Sequence, residues 1–254
     1  MESIRQPLQG VRNILRFNWH FYAIAGVGVG LLLALSFLAD TFLGAYLGLV
    51  ALAVGWVVVV SLVVSAYVYD FSPLYRLRWL TELNLASQPV VANIHAGFDE
   101  SSALLQQRLN PAKLWVFDFY NPNAHTEVAI KRARQKYPAY AGTQAVGTTY
   151  LPLPDNTAEL VVLMLAAHEI RNEQERTAFF SEVRRITAPG GKVVVIEHLR
   201  DAANLLAYNL GAFHFYSQKA WYRVFGAASW QHVQERKITP FVSVFILTNN
   251  GAGA

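Results

Sequence analysis

The chain has 254 residues, of which 54% are apolar and 15% charged, with a formal charge of +4 and no cysteine. Ordinary soluble domains are about 25% charged, so part of this chain avoids water, while its abundant aromatic and aliphatic residues exclude disorder. The lack of cysteine excludes disulfides, Cys-ligated zinc and a thiol nucleophile, and the mild charge without a basic arm gives no reason to expect nucleic acid.

In chain order, Phe21 to Ala39 is a run of 19 residues without a charge, and after Asp40 a further 29 run uncharged from Thr41 to Tyr69. About 20 apolar residues cross the hydrocarbon core as a helix, so residues 21–70 read as a two-helix transmembrane hairpin. A cleaved signal peptide has a shorter apolar run and no second one behind it. Arg5, Arg12 and Arg16 precede the first run and Arg76 and Arg78 follow the second, whereas the connecting turn holds no Lys or Arg. The positive-inside rule then places both termini in the cytoplasm. Residues 1–20 become a cytoplasmic N-terminal segment and 71–87 a juxtamembrane linker. Within that linker FSPLYRLRWL (71–80) reads equally as a helix along the membrane surface or an ordinary connection.

From Gln88 short apolar runs alternate with polar helical stretches. Strands are expected at 89–94, 113–119, 158–165 and 192–197, with helices at 100–109, 125–137 and from Asn172 to the APGG stop at 188–191. Asn172 followed by Glu175 is a capping-box pattern, and the basic run from Lys131 to Lys136 reads as a solvated helix face. This alternation predicts an α/β domain over 88–254 with a Rossmann-like parallel sheet. The stretch 204–226 reads as one amphipathic helix, and 231–237 with 240–248 as an antiparallel strand pair at the sheet edge.

In an open parallel sheet, ligands bind beyond the carboxyl ends of the strands. The segments there are NIHAGFD (93–99), DFYNP (118–122), GTTYLPLPDN (147–156) and LAAHE (165–169). Together with LPLPDNTAELVVLMLAAHEIRNEQERTAFFSEVRRITAPGGKVVVIE (151–197) and the aromatic tail from His214, they resemble class I S-adenosylmethionine-dependent methyltransferases, in particular the ubiquinone/menaquinone C-methyltransferase branch. The resemblance implies S-adenosylmethionine as cofactor, bound by Asn93, His95, Gly97, Phe98, Asp99, Asp118, Phe119, Thr148, Thr149 and Leu165. Asp118 would accept the ribose hydroxyls, as acidic residues at that place do in dinucleotide folds, and Phe119 would pack on adenine. The glycine-rich first loop departs from the family pattern: Asn93, His95 and Asp99 stand where it has an acid and two glycines, and Gly97 alone is kept.

His168, Glu169 and His214 are the catalytic candidates, since a histidine at a strand end takes up a proton near neutral pH. Each has a packing role as its alternative. No carboxylate–histidine ligand spacing is visible, so no metal is expected. The expected function is a membrane-anchored methyltransferase acting on a lipophilic or membrane-associated acceptor, with a homo-oligomer left open. The alternative is a degenerate, non-catalytic interaction module at the membrane.

Overall fold

The computed structural model describes residues 5–124 and 127–250. Helix α1 (Gln9–Phe17) leads into α2 (Trp19–Leu38) and α3 (Thr41–Ala66), and α3 continues through one π-helical turn, Tyr67–Phe71. The α2–α3 pair is a tight hairpin: Asp40 caps α3 by accepting from the Leu43 N–H at 2.9 Å. Both helices are long and apolar enough to cross a membrane, with mean hydropathies of 2.2 and 2.8 over their best windows, and neither is buried in the protein.

Helix α1 is fixed to the rest of the molecule at both ends. The Asp70 carboxylate accepts from the N–H groups of Gly10 and Val11 at 2.7 and 2.9 Å, where a helix N-terminus favours negative charge. Gly10 allows this approach, because a Cβ there would stand 2.3 Å from the Tyr69 Cβ. At the other end Phe17 is buried edge-on to Phe98, and Tyr137 donates to Asn13.

The segment expected as a linker is instead part of the core. Leu74, Leu77, Trp79 and Leu80 are buried with Val91, Leu160, Val194 and Val244 beneath the sheet, and 78–82 form a 3₁₀ turn. Their apolar side chains gain more from the uncovered sheet face than from the membrane surface: each full burial is worth about 1.5–3 kcal/mol.

The sheet is built from β1 (Val90–His95), β2 (Lys113–Asp118), β3 (Gln144–Ala145), β4 (Ala158–Met164), β5 (Thr187–His198), β6 (His232–Thr239) and β7 (Val242–Thr248). Its order is β3-β2-β1-β4-β5-β7-β6; the first five strands are parallel and the last pair antiparallel, as the alternation predicted. The connecting helices are α4 (Ser102–Leu109), α5 (Val128–Lys136), α6 (Glu173–Ile186), α7 (Ala202–Tyr208) and α8 (Gln218–Ala227). The second face is closed by Phe179, Phe180 and Val183 of α6 with Trp221, Val224 and Phe225 of α8. The Asn172 side chain caps α6 through the Glu175 N–H at 2.9 Å, as its capping-box pattern implies.

The two-residue β3, too short to show as an apolar run, was not expected, and three local expectations are corrected. Helix α6 ends at Ile186, and APGG belongs to β5: Ala158 pairs with Thr187 but Leu160 pairs with Lys192, so residues 188–191 bulge out of the ladder. The predicted helix 204–226 is broken into α7, a 3₁₀ turn over Asn209–His214 and α8, because Tyr216 bridges to Leu199 and Ser217 caps α8. The basic run on α5 is not simply solvated: Arg132 donates to the Phe17 carbonyl, and Arg134 pairs with Asp118. The first two residues of the predicted helix 125–137 lie outside the described residues.

Candidate active site

The carboxyl ends of β1 and β2 are in register, with His95 beside Asp118. Beyond His95 the chain turns at Gly97, whose φ of +93° suits glycine. A Cβ on Gly97 would meet Tyr120 and Arg134 side-chain atoms at 3.0–3.1 Å, so this turn is a close cradle. Asp118 is buried; it accepts from the Tyr120 N–H at 2.9 Å and pairs with Arg134, whose guanidinium lies over the Tyr120 ring.

His95 is buried, and its Nδ1 accepts from the Gly97 N–H at 3.2 Å. Burial lowers its pKa against the opposing pull of Asp99 and Asp118, so the ring is neutral and its proton sits on Nε2. That Nε2 and the Asp99 Oδ2 are both buried without a hydrogen-bond partner among the described residues. Two unpaired polar atoms beside one glycine turn are costly unless a ligand completes them. The other Asp99 oxygen accepts from the N–H groups of Ser101 and Ser102 at 2.9 Å and opens α4. Asn93 is committed inside this loop, donating to Ser101 and Ser102 at 2.9 and 2.8 Å.

Other expected contacts go elsewhere. Phe119 is a core residue packed 5.5 Å from Phe179, because the residue after Asp118 points to the opposite sheet face. Phe98 packs on Phe17 and Tyr137, beneath α1. Thr148 donates to Glu175 at 2.5 Å, and Thr149 is exposed. Leu165 has φ +53° and packs with the lower core, so its backbone turn, rather than its side chain, shapes the end of β4.

A second group gathers at the ends of β4 and β5. His168 Nδ1 lies 2.6 Å from Glu197 Oε2, and its Nε2 lies 3.2 Å from Glu169 Oε1. His214, brought in by the 3₁₀ turn after α7, has Nε2 3.6 Å from the same Glu169 oxygen and Nδ1 2.9 Å from Glu127. The guanidinium of Arg171 lies against the His214 ring and within 4.0 Å of Glu169. Burial opposes charge on His168, yet Glu197 and Glu169 outweigh it and raise its pKa to about 10. Glu169 is held well below the carboxylate range against its own burial, by His168, His214 and Arg171. The raised pKa of His168 favours its protonated form at neutral pH. His168, Glu169 and His214 are thus brought together, and Asp118, Gly97, His95 and Asp99 form the other group. Sequence reasoning missed Arg134, Glu197, Glu127 and Arg171; only Glu197, at a strand end, carried a positional signal.

Residues 96–195 match the family model described as methyltransferase domain. No curated protein matches the chain. Among solved structures, a chain of the Haloferax volcanii complex that holds the Trm112 methyltransferase activator is similar with a TM-score of 0.55 and 11% identity, over 72% of this chain and 91% of that one. Human N-acetylserotonin methyltransferase, solved in complex with S-adenosylmethionine, is similar with a TM-score of 0.51 and 16% identity, over 77% of this chain and 55% of that one. At these identities the likeness concerns the fold.

Proposed function

We propose, from the premise that this chain carries a methyltransferase domain of the class I α/β fold, that it is a membrane-anchored enzyme using S-adenosylmethionine on a lipophilic acceptor. The observation that carries the cofactor site is the cradle at Gly97: a buried carboxylate, Asp118, faces it, and two buried polar atoms beside it lack partners. These residues fit the cofactor. Asp118 supplies acceptors for vicinal ribose hydroxyls, Asp99 a negative charge for an ammonium group, and the His95 Nε2–H a donor. The cofactor supplies an electrophilic methyl group on a sulfonium. Arg134, on a long and 40% exposed side chain, leaves Asp118 as the ribose hydroxyls take its place.

On the acceptor side, His168 is held in one orientation by Glu197 and Glu169, and His214 and Arg171 close the rim. Methyl transfer is a displacement, so alignment of two bound groups supplies much of the acceleration. The lipophilic acceptor is supported by the segment that brings in His214. Helix α7 packs against α3, and Leu206, Leu210 and Phe213 on and after it are 62–83% exposed. An apolar surface joined to apolar helices is what a bilayer covers. We read α2 and α3 as spans with the catalytic domain on the cytoplasmic side, following the arginine flanks.

The test uses the full chain in vesicles with methyl-labelled S-adenosylmethionine and a membrane lipid extract. The expected result is label in an extractable lipophilic product that has gained one methyl group. Label only in water-soluble products would contradict the lipophilic acceptor.

A further inference from the structure

Two histidines and a carboxylate converge at the ends of β4 and β5. His168 Nε2 and His214 Nε2 lie 3.2 and 3.6 Å from one oxygen, Glu169 Oε1, and one donor atom from each of the three residues lies within 4.8 Å of the others. A cation held about 2.1 Å from each donor sets neighbouring donors about 3.0–3.4 Å apart, in octahedral or tetrahedral geometry. The remaining nitrogens are also engaged: His168 Nδ1 has Glu197 at 2.6 Å and His214 Nδ1 has Glu127 at 2.9 Å. A carboxylate behind each imidazole is the arrangement that fixes the tautomer and turns Nε2 toward a metal. An ion at His168 Nε2 takes the place of a proton on that nitrogen, and the carboxylates of Glu127, Glu169 and Glu197 surround the two rings together with one guanidinium, Arg171.

We propose that His168, Glu169 and His214 bind a divalent first-row transition-metal cation. Two imidazoles and one carboxylate suit such an ion and leave coordination positions open. Those positions face the exposed side of the cluster, since the His214 side chain is 28% exposed whereas Glu169 is buried. Arg171 now contacts both ring nitrogens of His214, Nε2 among them, and donates to the His214 carbonyl at 2.8 Å; its 41% exposed side chain must swing into solvent for the ion to enter. On the reading that this is a methyltransferase, an oxygen of the acceptor would take an open position on the ion. Metal binding itself does not depend on that reading.

The test takes the full chain in detergent, without an affinity tag and stripped with chelator, and titrates it with Co²⁺ while the visible absorption is followed. Bound zinc is counted separately by mass spectrometry after dialysis against Zn²⁺. Wild type and His232→Ala, which removes an exposed histidine elsewhere, are expected to take one equivalent with the same absorption band. Glu169→Gln and His214→Ala are expected to lose that band. Glu127→Gln, behind His214, is expected to bind about 10–100-fold more weakly. Binding of S-adenosylmethionine by each variant, measured in parallel, reports whether it is folded and whether the cofactor reading stands by itself. Wild type without a stoichiometric band overturns the proposal, as does an unchanged band in Glu169→Gln and His214→Ala.

Discussion

Asp118 shows how far a single residue reads from sequence. Its place at the end of the second apolar run marked it as a ribose acceptor, and the structure sets it in a buried position beside the Gly97 turn. Arg134 was not legible, because a basic helix run looks solvated until the fold shows which side chain reaches inward. An ion pair with a partly exposed arginine is worth at most about 1 kcal/mol, so Arg134→Ala should tighten S-adenosylmethionine binding up to about fivefold in calorimetry. Weaker binding would show instead that Arg134 holds the cofactor. His198 supplies one part of the pH dependence of stability, opposite in sign to that of His168. Burial, against the opposing pull of the Phe241 carbonyl and Asn204, lowers its pKa to about 4. Its folded pKa lies below the unfolded value of about 6.5. Its contribution is therefore complete above about pH 6.5 and is lost as pH falls toward 4, by at most about 3 kcal/mol. On going from pH 7.5 to pH 5, the thermal unfolding midpoint should fall further, or rise less, in wild type than in His198→Asn. Equal differences would exclude His198 as the source.

At the scale of elements, strands and caps were the legible part. Four of the seven strands announced themselves as apolar runs, because a sheet covered on both faces leaves few places for polar residues, and two more by their alternation. The segment 204–226 misled, since amphipathic periodicity continues through a break made by Ser217 and the bridge of Tyr216 to Leu199. That break lets the turn after α7 bring His214 to His168 while Leu206, Leu210 and Phe213 stay outside. Replacing these three apolar residues with Gln should lower turnover of a membrane-dissolved acceptor several-fold, with cofactor affinity unchanged. Equal turnover would remove this surface from the acceptor's path. The cap of α6 gives a stability control, as Asn172→Ala should cost about 1 kcal/mol, read from a chemical unfolding midpoint.

At the scale of the whole molecule, composition divided the chain into an apolar hairpin and an α/β domain, but not how firmly they join. The boundary drawn at residues 71–87 cuts through the lower core, and α1 lies over Phe98 and Tyr137. Tyr69 bonds His198 at 2.8 Å, and Arg5 reaches Glu100 at 2.6 Å. Long-range contacts of this kind leave no periodic trace in sequence. The hairpin therefore positions the domain instead of tethering it loosely. Because the chain has no cysteine, single cysteines report topology cleanly. In sealed right-side-out vesicles a membrane-impermeant maleimide should label Thr41→Cys and spare Lys131→Cys, and the reverse pattern would invert the orientation. The central claim is that S-adenosylmethionine binds at the ends of β1 and β2. Calorimetry of the full chain in detergent with S-adenosylmethionine, in wild type and Asp118→Ala, tests it most directly. Wild type is expected to bind at one site, with a stabilisation of about 2.7 kcal/mol at 100 times the dissociation constant, and Asp118→Ala to lose both. Absence of binding in wild type at millimolar cofactor, or equal binding in Asp118→Ala, would contradict it.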